Sequence, residues 1–444
     1  MIPGPLLLLV FCTLVSLSRG SRCTLSILSV LPYPDQNPEF SSSYTDGPDI
    51  IPAGYLAIEM INNRSDILSD YQLELVEARG GCGMDTLTLS EKAIVQNVFR
   101  GEKHVIGIVG PRCYNSAERV GQLIAKDAIA LVNVHMCGSP NLGTLSVYPY
   151  STSTTPCIIR FVDAYVALII HNQWKQAPVA FLFEDEELSY SILTYLTEKL
   201  NGSGVAYSSI VTDNYIHGAL TGLEASSARL VLVNIDGILT QKLMCLALTR
   251  NAIYPKYHWT FLRTKLNEFT DVDFLYMGVR YSCNSKAFSL ALNNSIAFNF
   301  SYNPRNSAIT DRGISGLTYA EYVEKYTKAV QRYNSGMYGT PAKFASINKL
   351  GNAFHDSIWV LALALNATDT KLKRVNQSLC EYGYGQPHLT KLIQEEILGV
   401  RFLGAGGEVN YKYNGTRRFP PGIVNLWMYQ GIGPKALSRH LAID

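Results

Sequence analysis

Hydroxyl and carboxylate side chains stand where predicted strands give way to helices. Ser116 and Ser139 carry hydroxyls at two such points, and Asp236 carries a carboxylate at a third. Hydroxyls and free backbone N–H groups at a helix start suit a ligand carboxylate, because the helix adds partial positive charge there. Helix capping explains Ser116 and Asp236 equally well. The residues therefore indicate a site for a small carboxylate or a set of helix caps.

An acidic run, Glu184 to Glu187, follows another predicted strand. Hard cations prefer oxygen ligands, so this run is compatible with a metal site. A solvated helix start is the favoured interpretation, because the helix dipole stabilises negative charge at that end. We therefore expect no metal and no cofactor.

No enzyme signature stands in the sequence. The P-loop, HExxH, GxSxG and GxGxxG patterns are missing, and the glycine cluster at 80–83 contains a cysteine and lacks dinucleotide spacing. A binding module accounts for the whole chain, whereas a hydrolase accounts for no particular residue, so we expect no enzymatic activity. The formal net charge is only +2, without the clustered Lys and Arg that nucleic-acid binding requires.

The N-terminus has the shape of a secretory signal. An apolar run from Leu6 to Val15 precedes the small residues Ser18 and Gly20, which predicts cleavage after Gly20 and a signal peptide over 1–20. No Lys or Arg precedes the run, so a buried core segment is the alternative. Beyond residue 20, the apolar stretches are far shorter than the roughly 20 residues of a membrane-spanning helix. We expect a cell-surface or secreted protein, either a receptor fragment or a soluble product.

Cysteines and glycosylation sequons agree with an extracellular location. Of nine cysteines, Cys12 leaves with the signal, and the even remainder forms no CxxC pair and no His-containing ligand pattern, so disulfides are favoured over zinc. N-x-S/T sequons begin at Asn63, Asn201, Asn293, Asn299, Asn366, Asn376 and Asn414, and each predicts a glycan on exposed surface.

Strands and helices alternate along the chain. The first series predicts strands over 24–31, 71–77, 104–109 and 129–135 and helices over 54–63, 87–100 and 116–128. The second predicts strands over 178–183, 228–235 and 257–262 and helices over 188–200 and 238–248. Later segments predict helices over 319–333 and 351–365 and strands over 399–413 and 423–430. The pattern predicts an α/β fold with two lobes, each a mostly parallel sheet covered by helices.

Two such lobes leave a cleft at the carboxyl ends of their strands. Ligand chemistry is therefore expected just after the strands, within 110–116, 135–141, 161–165, 184–187 and 236–238.

Several segments carry a family resemblance. They are RSDILSDYQLELVEARGGC, GIVGPRC, HNQW, MCLALTRNAIYPKYHWTFL, EYVEKYTK and HDSIWVLALALNAT. Together they resemble the extracellular domain of class C G-protein-coupled receptors, and most of all GABA type B receptor subunits. The resemblance implies a clamshell of the periplasmic-binding-protein type I fold. Lobe 1 is expected at 21–158 plus about 318–385, and lobe 2 at 159–317 plus about 386–444.

The resemblance also implies disulfide pairs. By the family pattern, Cys82 pairs with Cys113 and Cys245 with Cys283. We add Cys137 with Cys157 because they lie close in the sequence. Cys23 and Cys380 stay unassigned.

Ligand-binding positions follow from the same resemblance. Tyr114 occupies the place of a ligand-binding serine, with Ser116 two residues further on. The family's serine run that holds a ligand carboxylate corresponds to Gly138 and Ser139, so one hydroxyl is retained.

The second lobe departs from the family pattern. Asp236 occupies the place of an aromatic residue that closes over the ligand, and Val162, next to Asp163, replaces a histidine. Leu350 replaces the acid that anchors the ligand's amine, and losing such an ionic hydrogen bond costs about 1.5–3 kcal/mol.

Three interpretations remain. In the first, Asp163 and Asp236 supply the missing acid for a different amino-acid-like ligand. In the second, a ligand-free subunit acts by pairing with another subunit in a homo- or heterodimer, and a G protein is a partner only where a transmembrane part follows. In the third, a secreted decoy sequesters a ligand or a receptor partner.

Overall fold

A computed structural model describes residues 22–32, 47–80, 87–101, 103–111, 114–134, 142, 144–155, 158–212, 216–235, 237–262, 269–300, 310–336, 347, 349–381, 385–413, 418–419, 424–430 and 433–436. Within these ranges, two separate sheets of five and seven strands form the centres of two lobes.

The first sheet has the strand order β2-β1-β3-β4-β5, and all of its pairings are parallel. Its strands are β1 (Cys23–Pro32), β2 (Tyr71–Gly80), β3 (Val105–Val109), β4 (Leu131–Asn133) and β5 (Ser151–Ser153). Its helices are α1 (Gly47–Asn62), α2 (Leu87–Ile94, continued by a π-helical turn Val95–Phe99), α3 (Tyr114–Asp127), α9 (Tyr319–Asn334), α10 (Lys349–Lys373) and α11 (Pro387–Gly399).

Helices cover both faces of this sheet. Along β1, Leu25 and Ile27 point into a core shared with α1, α9, α10 and α11, whereas Leu28 and Val30 point into a second core beneath α2 and α3. This alternation follows from the two-residue period of a strand and explains why β1 is apolar on both faces.

The second sheet has the order β18-β17-β12-β9-β8-β6-β7. Its strands are β6 (Val179–Glu184), β7 (Tyr207–Thr212), β8 (Leu230–Asn234), β9 (His258–Phe261), β12 (Ile296–Phe300), β17 (Val424–Gln430) and β18 (Gly433–Ala436). Only β17 and β18 are antiparallel to their neighbours. One face packs against α4 (Ile159–His171) and α5 (Glu187–Ser203), and the other against α6 (Ile216–Ala225), α7 (Gly237–Thr249) and α8 (Ser285–Ala291).

The described chain also contains three small antiparallel hairpins. They are β10 (Val272–Tyr276) with β11 (Val279–Cys283), β13 (Arg401–Leu403) with β14 (Glu408–Asn410), and β15 (Lys412–Tyr413) with β16 (Arg418–Phe419). The β10–β11 hairpin lies on α7, where Cys283 is bonded to Cys245, as the family pattern implied.

The chain passes between the lobes three times. The first crossing follows β5, the second lies between β12 and α9, and the third lies between β14 and β17. Ile393, Ile397, Val409 and Tyr411 share a core with Trp359 of the first lobe. Residues 387–411 therefore pack with lobe 1, which corrects the assignment of everything after 385 to lobe 2. An amphipathic pattern shows that a segment is buried on one face but not against which sheet.

A second disulfide joins Cys23, at the start of β1, to Cys380, just beyond the end of α10. The sequence left both cysteines unassigned. Cys82, Cys113, Cys137 and Cys157 lie outside the described residues, so the two pairings expected for them stay predictions.

Within the described residues, no helix combines the length and apolar character needed to cross a bilayer. The same residues contain no cluster of three His, Cys, Asp or Glu side chains arranged for a metal ion.

We predict opposite effects from removing two buried tyrosine hydroxyls. The Tyr71 hydroxyl donates to Asp369 Oδ1 at 2.5 Å and accepts from the Leu379 N–H at 3.3 Å, so Tyr71→Phe should cost about 1–3 kcal/mol of unfolding free energy. Within the described chain the Tyr165 hydroxyl has no hydrogen-bond partner, so Tyr165→Phe should be neutral or slightly stabilising. Urea denaturation of both variants tests this; equal losses would contradict it.

Disulfide mapping tests both covalent links. Non-reducing proteolysis with mass spectrometry should recover peptides that join Cys23 to Cys380 and Cys245 to Cys283. Replacing Cys245 and Cys283 together by serine should lower the unfolding free energy by about 2–4 kcal/mol, because the bond restrains the unfolded chain. A different pairing of these four cysteines would contradict the arrangement.

Candidate functional site

The candidate site is the cleft that the two sheets share. The parallel strands of each lobe end at the crossings, and Ala117, in the first turn of α3, packs with Ile158 and Phe161 at the start of α4. The carboxyl edge of the first sheet therefore meets the beginning of the second lobe. Ligands of open α/β sheets bind at such edges.

The lobe 1 wall begins with the turn from β3 to α3. Gly110 has a positive φ of 99°, and a Cβ there would lie 2.3 Å from the Val30 carbonyl oxygen, so only glycine fits. Tyr114 is the first residue of α3, and its side chain lies outside the described part of the structure. Ser116, in the same first turn, is fully buried, so its hydroxyl is not open to solvent in this conformation.

A buried polar network completes the lobe 1 wall. The segment 151–155 reads STSTT, and all five residues are buried. Asn133 Nδ2 donates to Ser151 Oγ at 2.8 Å, Thr154 Oγ1 lies 2.7 Å from Ser357 Oγ, and Gln394 bonds the Thr152 hydroxyl. Burying hydroxyls is tolerated only when they are hydrogen-bonded, so this wall is fixed by its own partners.

The lobe 2 wall is built from the ends of the neighbouring strands β6 and β8. Asn234, the last residue of β8, is buried and donates to Ser189 Oγ at 2.9 Å. Ser189 in turn lies 3.4 Å from Glu186 Oε1. This chain of hydrogen bonds ties β8 to the first turn of α5 and gives part of the acidic run a structural role.

Two large side chains are exposed on the lobe 2 wall. Tyr190, in the first turn of α5, is 45% exposed, and Ile238, in the first turn of α7, is 67% exposed. Tyr190 packs edge-on against Phe183 with ring centroids 5.4 Å apart. Its hydroxyl donates to Asp185 Oδ1 at 2.9 Å, and this hydrogen bond raises the pKa of Tyr190. An apolar surface next to carboxylates suits a small amphipathic ligand.

Asp163 is half-buried near the start of α4, and its carboxylate already has partners. Its carboxylate accepts from the Tyr195 hydroxyl at 2.8 Å and pairs with Arg160 and Lys199 at 3.8 Å. Tyr195 is eight residues into α5, about 12 Å from the cleft end of that helix. Asp163 therefore joins α4 to α5, and its place among the ligand residues stays a prediction.

Other expected positions are buried or outside the description. Val162 lies in the lobe 2 core and Leu350 in the lobe 1 core, so neither presents a side chain to solvent. Gly138, Ser139 and Asp236 lie outside the described residues, and their roles stay predictions.

The described sequons with exposed asparagines lie away from the cleft. Asn63, Asn201, Asn293 and Asn376 are exposed, and each lies at or just beyond the end of a helix. Asn366 is half-buried within α10, and its Oδ1 accepts from the Leu68 N–H at 2.9 Å. The side chain of Asn299 and residue 414 lie outside the description. Glycans at the four exposed positions would leave the cleft open.

Sequence reasoning overlooked most of these wall residues. Asn133, Thr154 and Ser357 are polar residues in segments that we either interpreted as core or did not assign. The run of five hydroxyl residues at 151–155 was the signal that could have revealed the lobe 1 wall.

Known proteins match nearly the whole chain. Residues 51–427 match the family described as the receptor family ligand binding region. The gamma-aminobutyric acid type B receptor subunit 1 of Mus musculus is 25% identical over 381 residues, which is 85% of this chain and 37% of that protein. The same subunit of Rattus norvegicus matches to the same extent. The chain thus spans little more than a third of these relatives.

The family match covers both lobes and all three crossings, and it agrees with the two-lobed α/β architecture and the shared cleft. The family is one of receptor modules and not of enzymes. This chain belongs to the receptor family of ligand-binding regions.

Proposed function

We propose that the chain is the extracellular ligand-sensing domain of a GABA type B-like metabotropic receptor. Its cleft closes on an amino-acid-like small ligand, and closure is transmitted through a dimer to a G protein. The carrying observation is the pair of mostly parallel sheets that three crossings join, with the first turn of α3 packed against the start of α4. The protein acts on the extracellular side of the membrane, which agrees with its signal-like N-terminus and its disulfides.

The chemistry of the walls supports a ligand with a carboxylate and an apolar part. The turn into α3 supplies the start of a helix, which favours negative charge. Ile238 and Tyr190 supply apolar surface across the cleft. Leu350 is buried and apolar where related receptors carry an acid, so an amine must find its partner in lobe 2, where Asp236 is our candidate.

A thermal-shift screen tests ligand binding. Amino acids and GABA are added to the glycosylated domain, and a ligand that binds the folded state alone raises Tm by mass action. We expect a saturable shift with one compound, lost in Ser139→Ala or Asp236→Ala. Ile238→Asp should weaken the apparent affinity about tenfold, because it removes apolar contact from the cleft.

Ile170→Asp is the matched control. Ile170 is 43% exposed at the far end of α4, so the same change there should leave the ligand shift intact. If Ile238→Asp and Ile170→Asp weaken the ligand-induced rise in Tm equally, the ligand binds outside the cleft. No shift with any compound at millimolar concentration would contradict the ligand-sensing proposal.

A ligand-free partner subunit or decoy is the second candidate function, and one edge of the second sheet favours it. β7 is one of the two edge strands of the second sheet, and its exposed residues include Tyr207 at 37% and Val211 at 45% exposure. The strand contains no charged residue and no proline, which are the usual protections against pairing with another chain. We propose this edge, together with Tyr190 beside it, as a pairing surface for another subunit.

Sedimentation velocity tests the pairing surface. Val211→Lys should weaken self-association, or association with a GABA type B receptor subunit, at least tenfold, because it places a charge on the pairing strand. Val279→Lys is the control, since Val279 is 52% exposed on the β10–β11 hairpin. Equal effects of the two substitutions, or no association in the unmodified protein, would contradict this surface.

A further inference from the structure

One polar turn of α10, residues 352–357, contacts the start of the first interlobe crossing and the β13–β14 hairpin that precedes the third. We call residues 352–357 the anchor turn. Asn352, Ala353, His355, Asp356 and Ser357 are all buried, and α10 is part of the lobe 1 core. A buried turn with this many polar groups must satisfy them internally. Its partners are segments that leave lobe 1.

The first crossing is held by Thr154. Thr154 Oγ1 lies 2.7 Å from Ser357 Oγ and 3.3 Å from the Ala353 carbonyl oxygen. Ser357 Oγ also donates to the Ala353 carbonyl at 2.8 Å. The Thr154 hydroxyl, at the beginning of the first crossing, is therefore fixed to the anchor turn by the Ser357 side chain and the Ala353 carbonyl.

Asp356 holds the β13–β14 hairpin, which precedes the third crossing. Its carboxylate accepts from the N–H groups of Ala405 at 2.8 Å and Gly406 at 2.7 Å, and lies 3.0 Å from His355 Nδ1. A Cβ on Gly404 would lie 2.3 Å from Asp356 Oδ2, so the backbone of the β13–β14 hairpin approaches the carboxylate as closely as glycine permits. Charge-assisted bonds of this kind are about twice as strong as neutral ones.

The second crossing is joined to the β13–β14 hairpin and to lobe 1. Ile314 N–H donates to the Leu403 carbonyl at 2.8 Å, and Arg64 Nη1 donates to the Ile314 carbonyl at 2.9 Å. The Arg64 guanidinium lies 5.9 Å from the ring centre of Trp359, one turn beyond the anchor turn. Asn352 Nδ2 donates to the Tyr319 hydroxyl at 3.3 Å, just after this crossing.

We propose that the anchor turn couples the crossings, holding the first directly and the second through the β13–β14 hairpin that leads into the third, with Asp356 as its main positioning residue. The lobe 1 ends of the crossings then move as one body with the first sheet, and loosening the turn changes how far the lobes open. The opening step rests on the proposed function, whereas the coupling of the crossings stands on the contacts alone.

Hydrogen–deuterium exchange of the whole domain tests the coupling. In Asp356→Asn, an amide N–H donor replaces one acceptor oxygen, so exchange should rise at least fivefold in all three segments 153–155, 313–317 and 404–407. Ser357→Ala, which keeps Asp356, should raise exchange in the same three segments by a smaller factor. This milder variant keeps the test decisive if Asp356→Asn does not fold.

Asp369→Asn is the matched control. Asp369 is another buried carboxylate of α10, and it accepts from Tyr71 and pairs with Lys373 about 20 Å further along the helix. Its loss should leave exchange in the three segments unchanged. The coupling is overturned if Asp356→Asn affects 404–407 alone, or if Asp369→Asn exposes the same three segments.

Spin labels at the exposed positions Lys325, in lobe 1, and Lys286, in lobe 2, measure the distance between the lobes. The proposal expects the interlobe distance distribution to broaden or shift in Asp356→Asn and to stay unchanged in Asp369→Asn. An unchanged distribution in Asp356→Asn would overturn the effect on opening. Coupled exchange in a domain whose distances never respond to any ligand would support the anchor turn and count against the ligand-sensing function.

Discussion

The bond between the Asp356 carboxylate and the backbone of residues 405 and 406 fixes the β13–β14 hairpin, which leads into the third crossing, to α10. Three chain segments must leave the first sheet at nearly the same place, and each exposes backbone groups that no sheet satisfies. A buried carboxylate with two N–H donors solves this for the β13–β14 hairpin, next to the third crossing. Thr154 and Ser357 solve it for another, through hydroxyls instead of charge. The polar residues of α10 are therefore structural requirements of a fold with three crossings.

This arrangement makes the two walls of the cleft unequal. In the lobe 1 wall, hydrogen bonds already engage Asn133 Nδ2, Thr154 Oγ1 and Gln394 Nε2. The lobe 2 wall presents Tyr190 and Ile238 to solvent. A fixed wall opposite an exposed apolar wall suits a ligand that is oriented by lobe 1 and covered by lobe 2. The energy of closure would then come mainly from burying apolar surface, which depends little on direction.

Periodicity in the sequence predicted the layered α/β fold well, because strands such as β8 are continuous apolar runs and helices such as α9 have one apolar stripe. It failed for β5, whose residues Ser-Thr-Ser contain no apolar side chain and are buried only because other polar groups pair with them. It also could not assign α11 to a lobe. Long-range pairing decides both cases, and one sequence does not show it.

The site was harder to predict than the fold, and Asp163 shows why. A carboxylate near a predicted cleft segment has the right chemistry, but Tyr195, Arg160 and Lys199 already use its oxygens. A residue type and its approximate position do not reveal whether its hydrogen-bonding capacity is already committed. The same reasoning applies to the amine of an amino-acid-like ligand. Leu350 is packed in the lobe 1 core and the Asp163 carboxylate has partners, so our proposal takes the carboxylate that meets the amine from another part of lobe 2. Asp185, exposed beside Tyr190, shows that such charge is present on that wall.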